Sequence, residues 1–140
     1  LRTGDNQIRV VAQPASCSDG DEFGIFFRGA LSDEGKFAGY LFKLNCTSQA
    51  GVDLMQDSTS RALLDWTDSP AVRPGAGAQN TLMVWMARNE FRFYVNDQYL
   101  ASVKNATQTE GDFGFYLWKR GEGEARVAFD DLAIRAVTPP

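Results

Sequence analysis

Carboxylates are the side chains of this sequence best suited to catalysis, because the chain contains no histidine. The absence of histidine excludes a Ser-His-Asp triad, a Cys-His pair and the common zinc sites. Asp19, Asp21 and Glu22 form one acidic group in a predicted loop, where clustered charge is usually solvated. Asp130 and Asp131 form a second group on a predicted strand, where adjacent side chains point to opposite faces. Glycoside hydrolysis needs two carboxyl groups flanking one bond. Neither group has that pattern, so we predict no catalytic residue and no enzyme activity.

Calcium is the metal that these carboxylates could hold, because hard cations take several oxygen ligands. Asp130 and Asp131 are the weak candidates, together with residues 19–22 if that loop lies close to them. No calcium-loop spacing is present, and a hydrogen-bonded carboxylate cluster explains the same residues. We therefore expect no cofactor and no metal, with calcium as the alternative.

Aromatic and charged side chains recur on one parity of several predicted strands, opposite the apolar set. Sugars stack their C–H faces on aromatic rings and hydrogen-bond to charged groups, so such a face is a candidate binding surface. The side chains that we predict to be exposed there and to bind a ligand are Arg28, Lys43, Asp65, Tyr94, Tyr116 and Trp118. Loops could instead bury part of this face, because the sequence does not say which strands share a sheet.

Two cysteines, Cys17 and Cys46, lie at the open end of the hairpin that residues 23–28 and 40–45 would form. A disulfide there would close a loop of roughly 30 residues and contribute about 3.5 kcal/mol in the chain-entropy model. The alternative is two buried free thiols. We predict the disulfide, and with it an oxidising compartment, extracellular or at the cell surface.

The elements that must position these side chains are strands, because apolar residues alternate with a period of two almost everywhere. About ten strands are predicted, at Gln7–Gln13, Glu22–Arg28, Tyr40–Asn45, Gly51–Gln56, Arg61–Thr67, Thr81–Ala87, Phe91–Val95, Tyr99–Lys104, Phe113–Trp118 and Ala125–Ala136. Short strands separated by turn residues are typical of a sandwich or barrel.

Two segments depart from this regularity. In the last strand, Val127 and Phe129 have one parity and Leu132 and Ile134 the other, so a bulge near residues 130–131 would return both pairs to the core. Residues 68–79 form the longest irregular stretch, which is either a functional loop or a crossover between sheets.

Bulk composition limits the classes of partner. The 140 residues fit a single domain, 1–140, and the start at Leu1 suggests a piece excised from a longer chain. The net charge of −4 argues against nucleic acid. No run of 18 apolar residues exists, so we predict no membrane insertion within this chain.

A series of short motifs then points to a known family. In chain order they are Phe23-Gly24-Ile25-Phe26-Phe27-Arg28, Tyr40-Leu41-Phe42-Lys43-Leu44, Leu64-Asp65-Trp66, Pro74-Gly75, Asn80-Thr81-Leu82, Phe93-Tyr94-Val95-Asn96, Gly111-Asp112-Phe113-Gly114-Phe115 and Phe129-Asp130-Asp131-Leu132. Over residues 7–137 the chain resembles the concanavalin A-like lectin/glucanase superfamily, and more narrowly its laminin G-like and 3-keto-disaccharide-hydrolase-like bacterial domains.

The resemblance implies an all-β, two-sheet antiparallel jelly-roll sandwich. Such domains are often extracellular and often bind sugars or proteins, and they usually begin with a further strand before Gln7, which we did not find in the sequence. We therefore expect a non-catalytic binding or sensor module with a glycan or protein ligand. The alternatives are a protein–protein interaction or structural domain of a larger surface or signalling protein, and then a glycoside-processing enzyme.

Overall fold

Alternating apolar side chains produce a structure built from strands. The computed structural model describes residues 2–138 and contains no helix within that range, hence none long and apolar enough to cross a membrane. The strands are β1 (Arg2–Thr3), β2 (Asn6–Pro14), β3 (Glu22–Leu31), β4 (Phe37–Asn45), β5 (Gln49–Gln56), β6 (Thr59–Asp68), β7 (Asn80–Ala87), β8 (Glu90–Val95), β9 (Gln98–Lys104), β10 (Gly111–Trp118) and β11 (Val127–Ala136).

These strands form two antiparallel sheets that face each other. The six-stranded sheet has the order β1-β10-β3-β4-β5-β6, and the five-stranded sheet has the order β11-β2-β7-β8-β9. The inward side chains of both sheets make one apolar core. The predicted jelly-roll sandwich is therefore confirmed, and each of the ten predicted strands overlaps one of these elements.

Aromatic side chains join the two sheets at the centre of the core. Phe27 and Tyr40 from the six-stranded sheet contact Phe91 from the other, with ring centroids 5.3 and 4.7 Å apart. Phe42 meets Phe93 at 4.8 Å. Such edge and tilted contacts each add about 0.5–1.5 kcal/mol beyond area burial. The core thus fixes how β3 and β4 lie over β8.

The first strand is one that the sequence did not reveal. Arg2 and Thr3 pair with Asp112 and Gly111 at the edge of the six-stranded sheet. Two residues are too short to show an alternation, so a pattern of period two could not find them.

The predicted disulfide is present. Cys17 and Cys46 are bonded, with Cα atoms 5.5 Å apart. The pair of Glu22 and Asn45 is the last of the β3–β4 hairpin and lies at its open end, beside the disulfide. The hairpin geometry predicted from the sequence therefore placed the two cysteines correctly.

The predicted bulge in the last strand is also present, with a different consequence. The register between β11 and β2 shifts between Asp130 and Ala133, and Asp131 has φ 54°. Val127, Phe129 and Ile134 pack against the core as predicted, while Leu132 is 45% exposed. The shift thus returns three of the four apolar side chains to the core.

The irregular segment between β6 and β7 is a crossover from one sheet to the other. Asn80, which is buried, fixes it by accepting from Arg73 N–H (2.8 Å) and donating to Arg73 O (2.9 Å). Asn96 adds donor contacts to Ala71 O and Asn80 Oδ1. Of the two interpretations of this stretch, its connecting role is the one seen in the structure.

Candidate functional site

The outer face of the six-stranded sheet carries a group of polar and aromatic side chains. We call Glu22, Lys43, Asp53, Trp66 and Tyr116 the Lys43 cluster. Register brings neighbouring strands together here, because Tyr116 pairs with Gly24, Gly24 with Lys43 and Lys43 with Gly51. The members therefore come from β10, β3, β4, β5 and β6, all of them on the side away from the core.

Lys43 is the centre of this cluster. Its Nζ lies 2.8 Å from Asp53 Oδ2 and 3.3 Å from Glu22 Oε1. The same ammonium lies 4.6 Å from the centroid of the Trp66 ring. The side chains of Lys43, Glu22 and Asp53 are 11%, 19% and 11% exposed, so the cluster is largely but not completely shielded from solvent.

Tyr116 adds a hydroxyl donor on the other side of Glu22. Its OH donates to Glu22 Oε1 at 3.2 Å. Burial raises the pKa of the Tyr116 phenol, and the Glu22 carboxylate raises it further. The phenol therefore stays protonated over the physiological range and keeps donating.

Gly51 makes the space in which the Trp66 ring and the Lys43 stem lie along the sheet. A Cβ at this position would come within 3.4 Å of Trp66 Cε3 and 3.6 Å of Lys43 Cε. A Cβ there would be in van der Waals contact with both side chains, so glycine leaves them room to lie close to the backbone. The cluster is thus a stacked arrangement with a half-buried indole at one side.

Chemically, the cluster offers both halves of a sugar-binding site. Two carboxylates and one ammonium present acceptors and a donor in fixed positions, and charge-assisted hydrogen bonds are roughly twice as strong as neutral ones. Trp66 supplies a ring face nearby. Trp118, which pairs with Glu22 in the register and is 47% exposed, supplies a second indole one row away.

The same geometry brings two carboxyl groups together, which sequence reasoning did not foresee. Because Glu22 and Asp53 both contact one ammonium, they lie no further apart than the pair of a glycosidase, roughly 5–10 Å. The space between them, however, holds the Lys43 ammonium. A glycosidic bond would have to displace that cation to lie between the two groups.

The predicted binding residues are divided among three places in the structure. Lys43 and Tyr116 belong to the cluster, and Trp118 lies beside it. Asp65 is exposed on β6, next to Trp66. Tyr94 is half-buried on the opposite sheet, where it contacts Tyr99 with ring centroids 5.8 Å apart. The hypothesis of a single shared face was therefore wrong for Tyr94, because β8 belongs to the five-stranded sheet.

Arg28 was predicted to be exposed, and that prediction was wrong. The residue is fully buried and has φ 49°. The pairing of β3 with β4 shifts between Phe27 and Ala30, so that Arg28 and Gly29 together oppose Gly39. Such a bulge breaks the alternation of faces. The Arg28 side chain consequently turns inward and its guanidinium lies 4.9 Å from the Phe91 ring centroid.

Glu22, Asp53 and Trp66 are the members of the cluster that sequence reasoning missed. Glu22 was grouped with a solvated acidic loop, although its place at the start of a strand was visible. Trp66 shares its parity with Ala62 and Leu64, so the alternation of β6 alone predicts a core position for it, and that prediction is wrong. The β5–β6 register shifts between Ala50 and Val52, which sets two β6 residues opposite one and turns Trp66 outward.

The acidic residues considered for a metal do not converge. Among residues 2–138, no group of three or more His, Cys, Asp or Glu side chains is placed to hold an ion. Asp21 is buried, and its carboxylate accepts from the backbone N–H groups of Ser18 and Arg120, both at 3.0 Å. Asp130 Oδ1 accepts from the Asp131 N–H at 2.8 Å. Asp21 and Asp130 thus already have protein partners, and the expectation of no cofactor stays a prediction.

Comparison with known proteins identifies the fold. A carbohydrate-binding module, CBM66 from Bacillus subtilis, matches with a TM-score of 0.79 and 14% identity, over 97% of this chain and 78% of that one. A putative glycosyl hydrolase from Parabacteroides distasonis has a TM-score of 0.70 and 14% identity, over 99% and 74%. Sheep galectin-11, in complex with glycerol, has a TM-score of 0.62 and 12% identity, over 94% and 90%.

No protein-family model and no curated protein sequence matches this chain. At the identities of the solved structures, the likeness concerns the fold alone. This chain therefore shares with these proteins the fold of a two-sheet antiparallel β-sandwich.

Proposed function

We propose that this chain is a non-catalytic carbohydrate-binding module that acts outside the cell or at its surface, with the Lys43 cluster as its sugar site. The observation that carries the proposal is the arrangement of the Lys43 ammonium between two carboxylates, 4.6 Å from the Trp66 ring centroid, on an outer sheet face.

The physical argument starts from the needs of a sugar. A pyranose presents hydroxyl groups around its rim and C–H groups on its faces, so it needs fixed polar partners beside an apolar ring. Glu22 and Asp53 accept, Lys43 donates, and Trp66 or Trp118 stacks. Because these groups are already ordered by one another, little side-chain entropy is lost on binding.

Two of the matching structures support this proposal by their names. One is called a carbohydrate-binding module, and a galectin was solved with glycerol, a small polyol. The narrower resemblance to laminin G-like and 3-keto-disaccharide-hydrolase-like domains stays a prediction. The disulfide supports an extracellular setting, because such bonds persist in oxidising compartments.

The non-catalytic part of the proposal rests on the position of Lys43. Its ammonium lies between the two carboxylates, in the space that the scissile bond of a glycoside occupies in a glycosidase. If the purified protein releases the chromophore from any of a panel of chromogenic aryl glycosides, the proposal that it is non-catalytic is contradicted, provided that Glu22→Gln abolishes this release.

Matched tryptophan variants test the site. Trp66 lies on the outer face of the six-stranded sheet, and Trp85, stacked on Arg92 at 4.2 Å, lies on the outer face of the other. A glycan array would identify a binding sugar, and calorimetric titration would give its affinity. We expect Trp66→Ala to weaken binding at least about tenfold, a loss of 1.4 kcal/mol, and Trp85→Ala to leave it unchanged. The reverse pattern, or an array without a bound sugar, would overturn the proposal.

A second candidate, protein–protein interaction, is favoured by one observation. At the edge where β10 faces β11, Phe115, Leu117 and Leu132 are 44%, 43% and 45% exposed, and Phe115 stacks on Phe129 at 4.4 Å. Contiguous exposed apolar side chains are typical of interaction sites. Changing Leu132 to Ser should weaken a complex formed at this edge and leave sugar affinity unchanged, which pull-down with neighbouring segments of the parent chain and titration would measure.

A further inference from the structure

The outer face of the six-stranded sheet changes character from one end to the other. The row that holds Lys43 and Tyr116 is polar, as described above. In the next row, Gly114, Phe26, Leu41 and Asp53 pair successively across β10, β3, β4 and β5. The row after that brings Met55 opposite Gly39. The polar cluster thus passes directly into an apolar surface within two residues along the strands.

This apolar surface is a shallow groove. A depression of about 350 Å³ lies over the strands, and its lining residues are Phe26, Phe37, Leu41, Met55, Phe115, Tyr116 and Leu117. A second depression of about 260 Å³ shares Phe26 and Phe37 and extends to Leu31, which is 71% exposed. Tyr116 lines the first depression and also donates to Glu22, so the groove and the Lys43 cluster share a wall.

Two aromatic rings are fixed in this groove by the backbone beneath them. A Cβ on Gly114 would come within 2.4 Å of the Phe26 ring, so only glycine lets that ring lie flat on β10. Phe26 in turn meets Phe37 edge to face, with centroids 5.2 Å apart. The groove therefore has a defined shape, which an apolar group can fill without first ordering its walls.

The size and place of the groove determine what could occupy it. Its volume is at the lower end of the range for small-molecule sites, about 300–1,000 Å³. A stable protein contact needs about 1,000 Å² or more of buried area. The groove crosses the central strands β3, β4 and β5, so an added strand could not pair there. Continuity with the polar cluster favours one molecule that has a polar and an apolar part.

We propose that the ligand of the Lys43 cluster is a carbohydrate that carries an apolar substituent, an acyl or alkyl chain, and that this chain lies in the groove of Phe26, Phe37, Leu41 and Met55. The inference rests on the proposed sugar site. It adds that the sheet face binds amphipathic glycoconjugates more tightly than the same sugars without a chain.

Alkyl glycosides of increasing chain length provide the test. Methyl, butyl, hexyl and octyl glycosides of glucose, galactose and mannose would be titrated against the protein by calorimetry, below their micelle concentrations. Each methylene group that enters the groove should improve affinity about fourfold. We expect the octyl glycoside of the preferred sugar to bind at least about tenfold more tightly than its methyl glycoside.

Two variants and a matched control show whether the gain in affinity from the alkyl chain arises in the groove. Met55→Gln should remove most of the chain-length dependence, and Phe26→Ser should do so as well. Met83→Gln changes an equally half-buried methionine on the outer face of the other sheet and should leave the dependence unchanged. Thermal unfolding shows whether each variant is folded. If Phe26→Ser is unfolded, the chain-length dependence of Met55→Gln alone tests the inference.

The outcomes separate this inference from the proposed function. Equal affinity for methyl and octyl glycosides would overturn the inference and leave the sugar site intact. No binding of any glycoside would overturn both. Binding of n-octanol as tight as that of the octyl glycosides would also overturn the inference, because the sugar would then contribute nothing.

Discussion

Arg28 and Lys43 are two cations on neighbouring strands of one sheet, and the protein treats them in opposite ways. Arg28 is fully buried, and its guanidinium donates to the carbonyl oxygens of Gly4 (2.9 Å), Arg88 and Gln108. The carboxylate oxygen Asp5 Oδ1 lies 3.5 Å from Arg28 Nη2. Lys43 has two carboxylate partners and remains 11% exposed.

The difference in burial and in partners indicates a different role for each cation. The carbonyls that Arg28 holds belong to three separate segments, namely the β1–β2 turn, the β7–β8 turn and the loop before β10, so Arg28 ties these segments together. Lys43 instead holds two carboxylates on an outer sheet face, whose side chains are 19% and 11% exposed. One cation serves stability and the other is available for binding.

Removing the Arg28 guanidinium should have the largest effect on stability. Arg28→Met would leave the part-buried carbonyls of Gly4, Arg88 and Gln108 without this donor, and such losses together cost about 3–5 kcal/mol. Arg28→Lys should recover only part of this, because an ammonium cannot reproduce the planar fork of five donors. Urea unfolding measures both. A loss below about 1 kcal/mol for Arg28→Met would show that the segments are held by other contacts.

Loss of the disulfide should have the second-largest effect on stability. Cys17 and Cys46 fasten the end of the β3–β4 hairpin where Glu22 lies, just as Arg28 fastens the other end. Changing both to Ser should lower the free energy of unfolding by about 3.5 kcal/mol, through the greater entropy of the unfolded chain. Urea unfolding of the double variant and of the reduced protein should give equal values. A stability unaffected by reduction would contradict the prediction.

The sequence predicted the fold far better than it predicted the site, and these two cations show why. Periodicity of two located the strands because every core residue contributes to it. The site depends on single departures from that period. The bulge at Arg28 turned a predicted surface residue inward, and the shift opposite Gly51 turned a predicted core residue, Trp66, outward. A bulge adds one residue and leaves little trace in composition, so parity fails where side chains are re-aimed.

Lys43→Met should separate binding from folding. The methionine keeps the apolar stem but leaves Glu22 and Asp53 facing each other without a cation. Since both carboxylates are partly solvated, we expect a stability loss of only about 1–2 kcal/mol. Sugar affinity, measured by calorimetric titration, should fall at least about tenfold.

The assignment of different roles to Lys43 and Arg28 is wrong if Lys43→Met and Arg28→Met change stability and sugar affinity in the same way. An equal loss of stability would make Lys43 a structural tie as well. Unchanged sugar affinity in a folded Lys43→Met protein would remove the cation from the binding site and leave only the aromatic residues there. Both readouts come from the same two purified variants, with the unaltered protein as reference.

Substitution of Asp21 should have the smallest effect on stability. Asp21 is a buried anion held by backbone N–H donors, whereas Arg28 is a buried cation held by backbone carbonyl acceptors. Burial alone would raise the pKa of the Asp21 carboxyl, but hydrogen bonds from Ser18 and Arg120 N–H, together with Lys119, lower it overall. A lowered folded-state pKa means that this contribution to stability is complete above the ordinary value of about 4 and is lost as pH falls through the lowered value.

Asp21→Asn should therefore be less stable than the unaltered protein at pH 7, and the gap should close as pH falls from about 5 to about 2. Thermal unfolding of both proteins across this range measures the gap, and Asp19→Asn, which changes an exposed carboxylate, provides the control. A gap that widens towards acid would mean that the carboxyl has a raised pKa and that burial outweighs its three donors.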